Sequence, residues 1–322
     1  MGLFKKTTVG KDFVNLVRAN DNGEEWAENK LGELWNNNQI STRDLCEARV
    51  VIYEAPAKRG DKEARYWMGK SLQVLDPPSS FQWLLDLARE GDVRAMKTLG
   101  LGFSTVSYYG EDPEKELYWY LEAAKVGDAE AQYMVGREYY GKALESHKNP
   151  EQAKIYFEST REWLEKSAKQ GYPQGVLKLA ELFIQLGNNC KNEVYKKYHF
   201  DFNNQAMQEE LQKAKETSLA FYDKADDLLT AILKGEYEEC YDGDIAKAFD
   251  IRGDMINRNL FEDEEPEYEF AVQCYYLATL LDDEEVLISK KKMNDVITQH
   301  NLNILREQFD AWKREALDGE ET

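Results

Sequence analysis

Apolar positions along this chain recur every three to four residues, and nowhere do they alternate long enough to make a strand. The pattern therefore predicts helices from end to end. The clearest stretch is Leu117–Tyr140, LYWYLEAAKVGDAEAQYMVGREYY. An aromatic-rich helix runs into Ala123-Ala124, breaks at Val126-Gly127-Asp128, and restarts through Ala131, Val135, Gly136 and Tyr139. The unit recurs. Ala followed five residues later by Gly appears at Ala27/Gly32, Ala64/Gly69, Ala95/Gly100, Ala131/Gly136 and Ala248/Gly253, and reversed at Gly175/Ala180. A glycine breaks the chain just before, at Gly23, Gly60, Gly91, Gly127 and Gly171, with spacings of 37, 31, 36 and 44. Trp83, Trp119 and Trp163 each stand eight residues ahead of their glycine. Repetition at this period marks stacked helical hairpins.

The small residues have a physical reason. Antiparallel helices approach to about 8–10 Å only where side chains at the crossing are small or interlock. Ala131 and Gly136 lie on nearly opposite azimuths, so Ala is expected to face its own hairpin partner and Gly the neighbouring hairpin. Gly inside a helix costs about 1 kcal/mol relative to Ala, so its recurrence implies a close contact that offsets the cost. The break glycine is expected to end one helix in the left-handed conformation, with Asp61, Asp92 or Asp128 capping the next. Pro77-Pro78, Pro113, Pro150 and Pro266 each precede an amphipathic run. Residues 11–20 predict half a repeat as a cap. A long helix is expected over about 205–234, and residues 188–243 contain no clean break glycine.

The pattern WY-x-x-AA-x-x-G followed by A-x-A-Q-Y-x-V-G-x-x-Y resembles the Sel-one-like repeat, a relative of the tetratricopeptide repeat. The resemblance covers residues 11–190 and resumes at 244–317, where FAVQCYYLATLLDDEEV and NLNILREQFDAWKRE look like a last repeat and closing helix. It implies an all-α fold, an α/α solenoid with a right-handed superhelix of antiparallel helix pairs. The expected organisation is one continuous solenoid: a cap and repeats over 1–190, an irregular helical insertion over 191–243, and last repeats with a capping helix over 244–322. Three departures stand out. The spacing of 44 is stretched by GKALESHKNPEQAKIYFEST, residues 188–243 hold a long irregular connection and the long helix, and Arg252 stands where the family has an apolar residue. Tyr275 and Tyr276 take the repeat's Trp position and are expected in the core.

Charge changes the picture in the last third. The net charge is -20, which disfavours bare nucleic acid and anionic membranes. Residues 1–200 carry 28 basic and 30 acidic side chains, whereas residues 201–322 carry 13 and 31. Cys46, Cys190, Cys240 and Cys274 are far apart and share no repeat position, so reduced structural thiols and a cytoplasmic setting are expected. MGLFKKTTVG lacks the apolar run of a signal peptide. Its sixth residue is Lys6, where a myristoylation pattern needs Ser or Thr. No segment approaches the ~20 apolar residues of a membrane helix.

Enzyme signatures are scarce, and neither a metal nor a cofactor is expected. His147, His199 and His300 have no His or Cys at ligand spacing and read as surface residues. Gly69-Lys70-Ser71 mimics the end of a phosphate loop, but its earlier glycine is Ala64 and the segment is helical. The resemblance implies instead a non-enzymatic bacterial interaction scaffold whose groove is lined by the helix after each break glycine. On that basis the partner-binding positions are Tyr66, Lys70, Arg94, Lys97, Tyr133, Arg137 and Tyr140. Their cations would suit a carboxylate-bearing peptide, or would simply pair across neighbouring helices. The acidic surface Glu262, Asp263, Glu264 and Glu265, with Asp282–Glu285, would capture a basic protein by steered association, or serve only as a solvated face. An adaptor, a regulator or an immunity-type partner of a basic protein fits these features. The alternatives are an enzyme in 188–243 around Cys190, His199 and Cys240, and a self-associating structural solenoid.

Overall fold

A computed structural model of the chain describes residues 9–104, 108–199, 201, 204–237, 240–261, 267–281, 286–300, 302, 304 and 306–318. Among these residues the secondary structure is helical throughout. Chain contacts define two compact units, Met1–Val135 and Gly136–Thr322. The first holds α1 (Lys11–Asp21), α2 (Glu25–Asn36), α3 (Thr42–Lys58), α4 (Lys62–Leu75), α5 (Pro77–Arg89), α6 (Val93–Gly102) and α7 (Pro113–Lys125), and the boundary falls within α8 (Ala129–Glu145). The second holds α9 (Pro150–Lys169), α10 (Pro173–Lys197), α11 (Gln205–Leu233), α12 (Asp242–Asn257), α13 (Tyr268–Leu281), α14 (Val286–Gln299) and α15 (Arg306–Asp318). No helix among the described residues is long and apolar enough to cross a membrane.

The break glycines behave as the pattern requires. Gly60, Gly91 and Gly127 have φ of 93°, 86° and 101°, a region that side chains with a Cβ resist. At Gly91 the chain closes a Schellman turn, with Gly91 N–H donating to Ala88 O at 3.0 Å and Asp92 N–H to Leu87 O at 3.0 Å. The residue after the glycine then starts the next helix. Asp61, Asp92 and Asp128 accept the backbone N–H of Ala64, Ala95 and Ala131 at 2.7, 3.2 and 2.8 Å. The glycine, the capping Asp and the buried Ala are thus one device. A sixth turn of this kind, at Gly235 (φ 67°), follows α11, with Glu236 N–H donating to Ala231 O at 3.0 Å. It lies inside the stretch expected to lack a break glycine. Asn38 and Asn259 take the same left-handed conformation after α2 and α12.

The recurrent helix glycines mark where one hairpin meets the next. A Cβ on Gly69 would stand 2.7 Å from Leu84 of α5, one on Gly136 2.8 Å from Leu164 of α9, and one on Gly253 2.8 Å from Tyr275 of α13. On Gly100 it would meet the Tyr120 ring of α7 at 3.1 Å. The first small residue of the pair faces its own hairpin: a Cβ on Gly175, at the Ala position, would meet Ser167 of α9 at 2.4 Å. Both expectations hold. Tyr275 therefore corresponds to Tyr120, one place after the repeat Trp; it is buried, whereas Tyr276 is half-buried against Phe309 and Trp312.

In the α10–α11 pair the close approach is displaced. Gly187 lies 16 residues after Gly171, where Gly69, Gly100 and Gly136 each lie nine after their turn glycine, a difference of about two helical turns. The contact itself is the same. Ser80 Oγ donates to Gly69 O at 2.6 Å with Leu84 one turn on, and Ser218 Oγ donates to Gly187 O at 2.7 Å with Tyr222 one turn on. Tyr222 is fully buried, its hydroxyl 2.9 Å from Asn188 Oδ1. Arg252, out of place by family pattern, pairs with Asp226 of α11 at 2.8 Å and lies 5.3 Å over the Phe270 ring. The chain closes with α13, α14 and α15 around Val272, Tyr275, Val296, Phe309 and Trp312.

Two substitutions separate a packing glycine from a merely helical one. Gly187→Ala places a methyl 2.5 Å from the Tyr222 ring and is expected to cost ~1–3 kcal/mol. Gly32 has nothing within 4 Å of a built Cβ, so Gly32→Ala is expected to add ~0.5–1 kcal/mol. Urea unfolding of both variants checks the opposite signs.

Candidate functional site

The Asp caps fix the rotation of α4, α6 and α8. With Ala64, Ala95 and Ala131 buried, the residues one before and two after each Ala share a face with those of the next helix in the row. In the first unit that face is laced by ion pairs. Arg94 of α6 meets Glu63 of α4 at 2.7 Å and Asp92 at 3.3 Å. Lys97 of α6 meets Asp128 at 3.1 Å and also bonds Glu130 of α8. The guanidinium of Arg94 covers the Tyr66 ring at 4.4 Å, and Tyr66 is buried beneath it. Lys70 is different: exposed, 5.3 Å over the Trp67 ring, it has no carboxylate partner among the described residues. Tyr133 is half-buried and engaged within the fold. The structure thus brings Tyr66, Lys70, Arg94 and Lys97 onto one face, and Arg94 and Lys97 are already paired there.

Electrostatics follow from that pairing. Burial alone would lower the Lys97 ammonium, but Glu130 and Asp128 more than offset it, so its pKa stands above the ordinary lysine value. Burial of Asp92 would raise its carboxyl, but the Arg94 hydrogen bond and the Ala95 N–H outweigh it and hold the pKa below the ordinary aspartate value. In the second unit, Arg137 lies 3.5 Å from Glu138. The Tyr140 hydroxyl donates to Gln185 Oε1 at 2.6 Å, and its ring lies 4.6 Å under the Lys178 ammonium.

Of the acidic surface, Glu262, Asp263, Glu264 and Glu265 lie outside the described residues, as do Asp282–Glu285. Of the described acidic groups nearby, Glu267 and Glu269 are exposed, whereas Asp250 and Asp254 turn inward. Asp250 is buried and accepts Ser289 Oγ at 2.9 Å and the Lys292 ammonium at 2.6 Å; Asp254 accepts the Tyr275 hydroxyl at 2.7 Å. Reading acidity as solvation misses this network. The signal was available in Asp250 and Asp254, one turn apart beside the packing glycine Gly253.

The cysteine residues show no activated thiol. Burial raises Cys190, with Glu193 adding to it, and burial then Asp244 raise Cys240; Cys274 is pushed up to about 12 by burial. A reactive cysteine needs a depressed pKa. His199 is exposed after α10, whereas His300, expected at the surface, is stacked on Tyr268 with ring centroids 3.5 Å apart. Among the described residues no group of three or more His, Cys, Asp or Glu side chains could hold a metal ion.

No protein-family model matches the chain, and no curated protein matches it. Solved structures do. A Sel1 repeat protein from Oxalobacter formigenes superposes at TM-score 0.50 with 16% identity, over 88% of this chain and 94% of that one. A protective antigen of uropathogenic Escherichia coli strains, described as displaying an SLR fold, aligns at TM-score 0.28 with 16% identity over 94% and 86%, a score too low to bear on the fold. The fold is an all-α solenoid, like that of the Sel1 repeat protein.

The pairing of Asp92 gives a pH test. Its depressed folded pKa contributes stability that is present above the unfolded value and lost as pH falls through the folded value. Arg94→Ala moves the folded pKa up, so the variant should lose ~0.5–1 kcal/mol near pH 7. The gap should narrow as pH falls from 7 through the folded value. Urea midpoints along that pH series measure it.

Proposed function

We propose that this chain is a protein-interaction scaffold that receives a basic protein, attracted by the acidic last third. One contrast carries the reading. The inner-face cations Arg94 and Lys97 are neutralised by Glu63, Asp92, Asp128 and Glu130, while residues 201–322 hold 31 acidic against 13 basic side chains. An acidic peptide would have to displace pairs already made. A basic partner meets a field that steers it from a distance. The first unit then contributes contact rather than charge, through the exposed Trp26 and Leu101. Large exposed side chains of this kind are what interaction surfaces are built from. The likeness to a Sel1 repeat protein shows the fold, which stacks hairpins into extended surfaces suited to this use. A nucleophilic enzyme on Cys190 or Cys240 is disfavoured, since burial raises both thiols.

Co-purification at low salt and at about 0.5 M salt tests it, because at the higher value screening shortens to a few Å. The expected result is a basic partner held at low salt and released at high salt. A partner retained equally at both would contradict electrostatic capture, as would concentration-dependent self-association with no foreign partner.

A further inference from the structure

The last three helices, α13, α14 and α15, pack around a common core and leave a cavity of about 530 Å³ beside the start of α13. Its walls are aromatic: Tyr268 and Phe270 of α13 and Trp312 of α15, all half-buried. Trp312 is held edge-on against Phe309 at 5.4 Å, and Tyr268 is stacked on His300, so two of the three rings are fixed by the fold. Gln273, one turn after Glu269 on α13, and Gln308, one turn before Trp312 on α15, bring amide groups to the same space.

The charge at this cavity is of one sign. Glu267 and Glu269 line it, both exposed and neither with a cationic partner among the described residues, and no Lys or Arg among those residues lines it. In sequence they end a run in which six of the eight residues 262–269 are acidic. Acidic residues are favoured at a helix N-terminus, which accounts for the carboxylates but not for the rings beside them. The chain itself shows what a ring and a carboxylate hold together. In an adjoining cavity of about 170 Å³, which shares Glu267 and Phe270, the Arg252 guanidinium lies 5.3 Å over the Phe270 ring. It pairs with both oxygens of Asp226, at 2.8 and 3.1 Å, and Glu267 is left without a cation.

We propose that the larger cavity takes an arginine side chain of the basic partner, its guanidinium plane against Phe270 and Trp312 and its N–H groups on the Glu267 and Glu269 carboxylates. The proposal rests on the reading of a basic partner and gives that partner an anchor. A guanidinium presents its N–H donors in one plane and stacks on aromatic faces, which suits these walls and paired carboxylates better than the compact charge of an ammonium.

The test is fluorine NMR of the full chain labelled with fluorotryptophan, the Trp312 resonance being assigned among the seven tryptophans by its loss in Trp312→Phe. The probe is an arginine-bearing Gly/Ser peptide at low salt. The controls carry citrulline, which keeps the shape without the charge, or lysine, which keeps the charge without the plane. The arginine peptide is expected to shift the Trp312 resonance selectively, the citrulline peptide to leave it unmoved, and the lysine peptide to bind more weakly. Glu267→Gln/Glu269→Gln is expected to weaken the arginine peptide about tenfold. Both positions are exposed, and an unchanged unfolding midpoint confirms that the fold is intact. No shift of Trp312, or an equal shift with citrulline or lysine in place of arginine, overturns the cavity. So does undiminished binding by the Gln variant. Acidic capture is read separately, by the salt-dependent co-purification, so each reading can fail without the other.

Discussion

The structure depends on how closely one hairpin can approach the next. At Gly69, Gly100, Gly136, Gly187 and Gly253 the missing Cβ makes room for Leu84, Tyr120, Leu164, Tyr222 and Tyr275. A solenoid has no central core, so each interface must supply its own stability. A glycine that costs about 1 kcal/mol in its helix is kept because the neighbouring side chain buries into the space it leaves. The turn glycines and Asp caps set the rotation of each helix, and that rotation aims the packing glycine at the right neighbour. Local turn chemistry and long-range packing are thus coupled through a few positions per repeat.

That coupling decides which side chains remain for function. Rotating α4, α6 and α8 alike puts Glu63, Arg94, Lys97 and Glu130 within reach of one another, and they pair. Ion pairs at half-exposed sites contribute little stability, but they remove the open cationic stripe an acidic ligand would use. The acidic excess of the last third has no such internal compensation in sequence. Some of it is nonetheless structural, since Asp250 and Asp254 are tied to Lys292, Ser289 and Tyr275.

The sequence makes much of this legible, and the exceptions have physical causes. Glycine after an apolar helix with Asp next is a local signal, so the turns at Gly60, Gly91 and Gly127 and the caps at Asp61, Asp92 and Asp128 could be read directly. Gly187 and Gly235 escape a search by spacing because α10 and α11 are longer than the other repeat helices. The contact returns about two turns later with a different interval. Asn38 and Asn259 escape because Asn shares the left-handed conformation without being its usual occupant. Tyr66, Lys70, Arg94 and Lys97 share a face because they share repeat positions, but position says nothing of pairing, and Arg94 and Lys97 are paired.

The central claim is that a basic partner is held through the acidic charge of residues 201–322. Hydrogen–deuterium exchange of the chain with and without its co-purified partner tests this most directly. Slowed exchange in the helices of that segment, α11 to α15, is the expected result. Protection confined to α4 and α6 would contradict it.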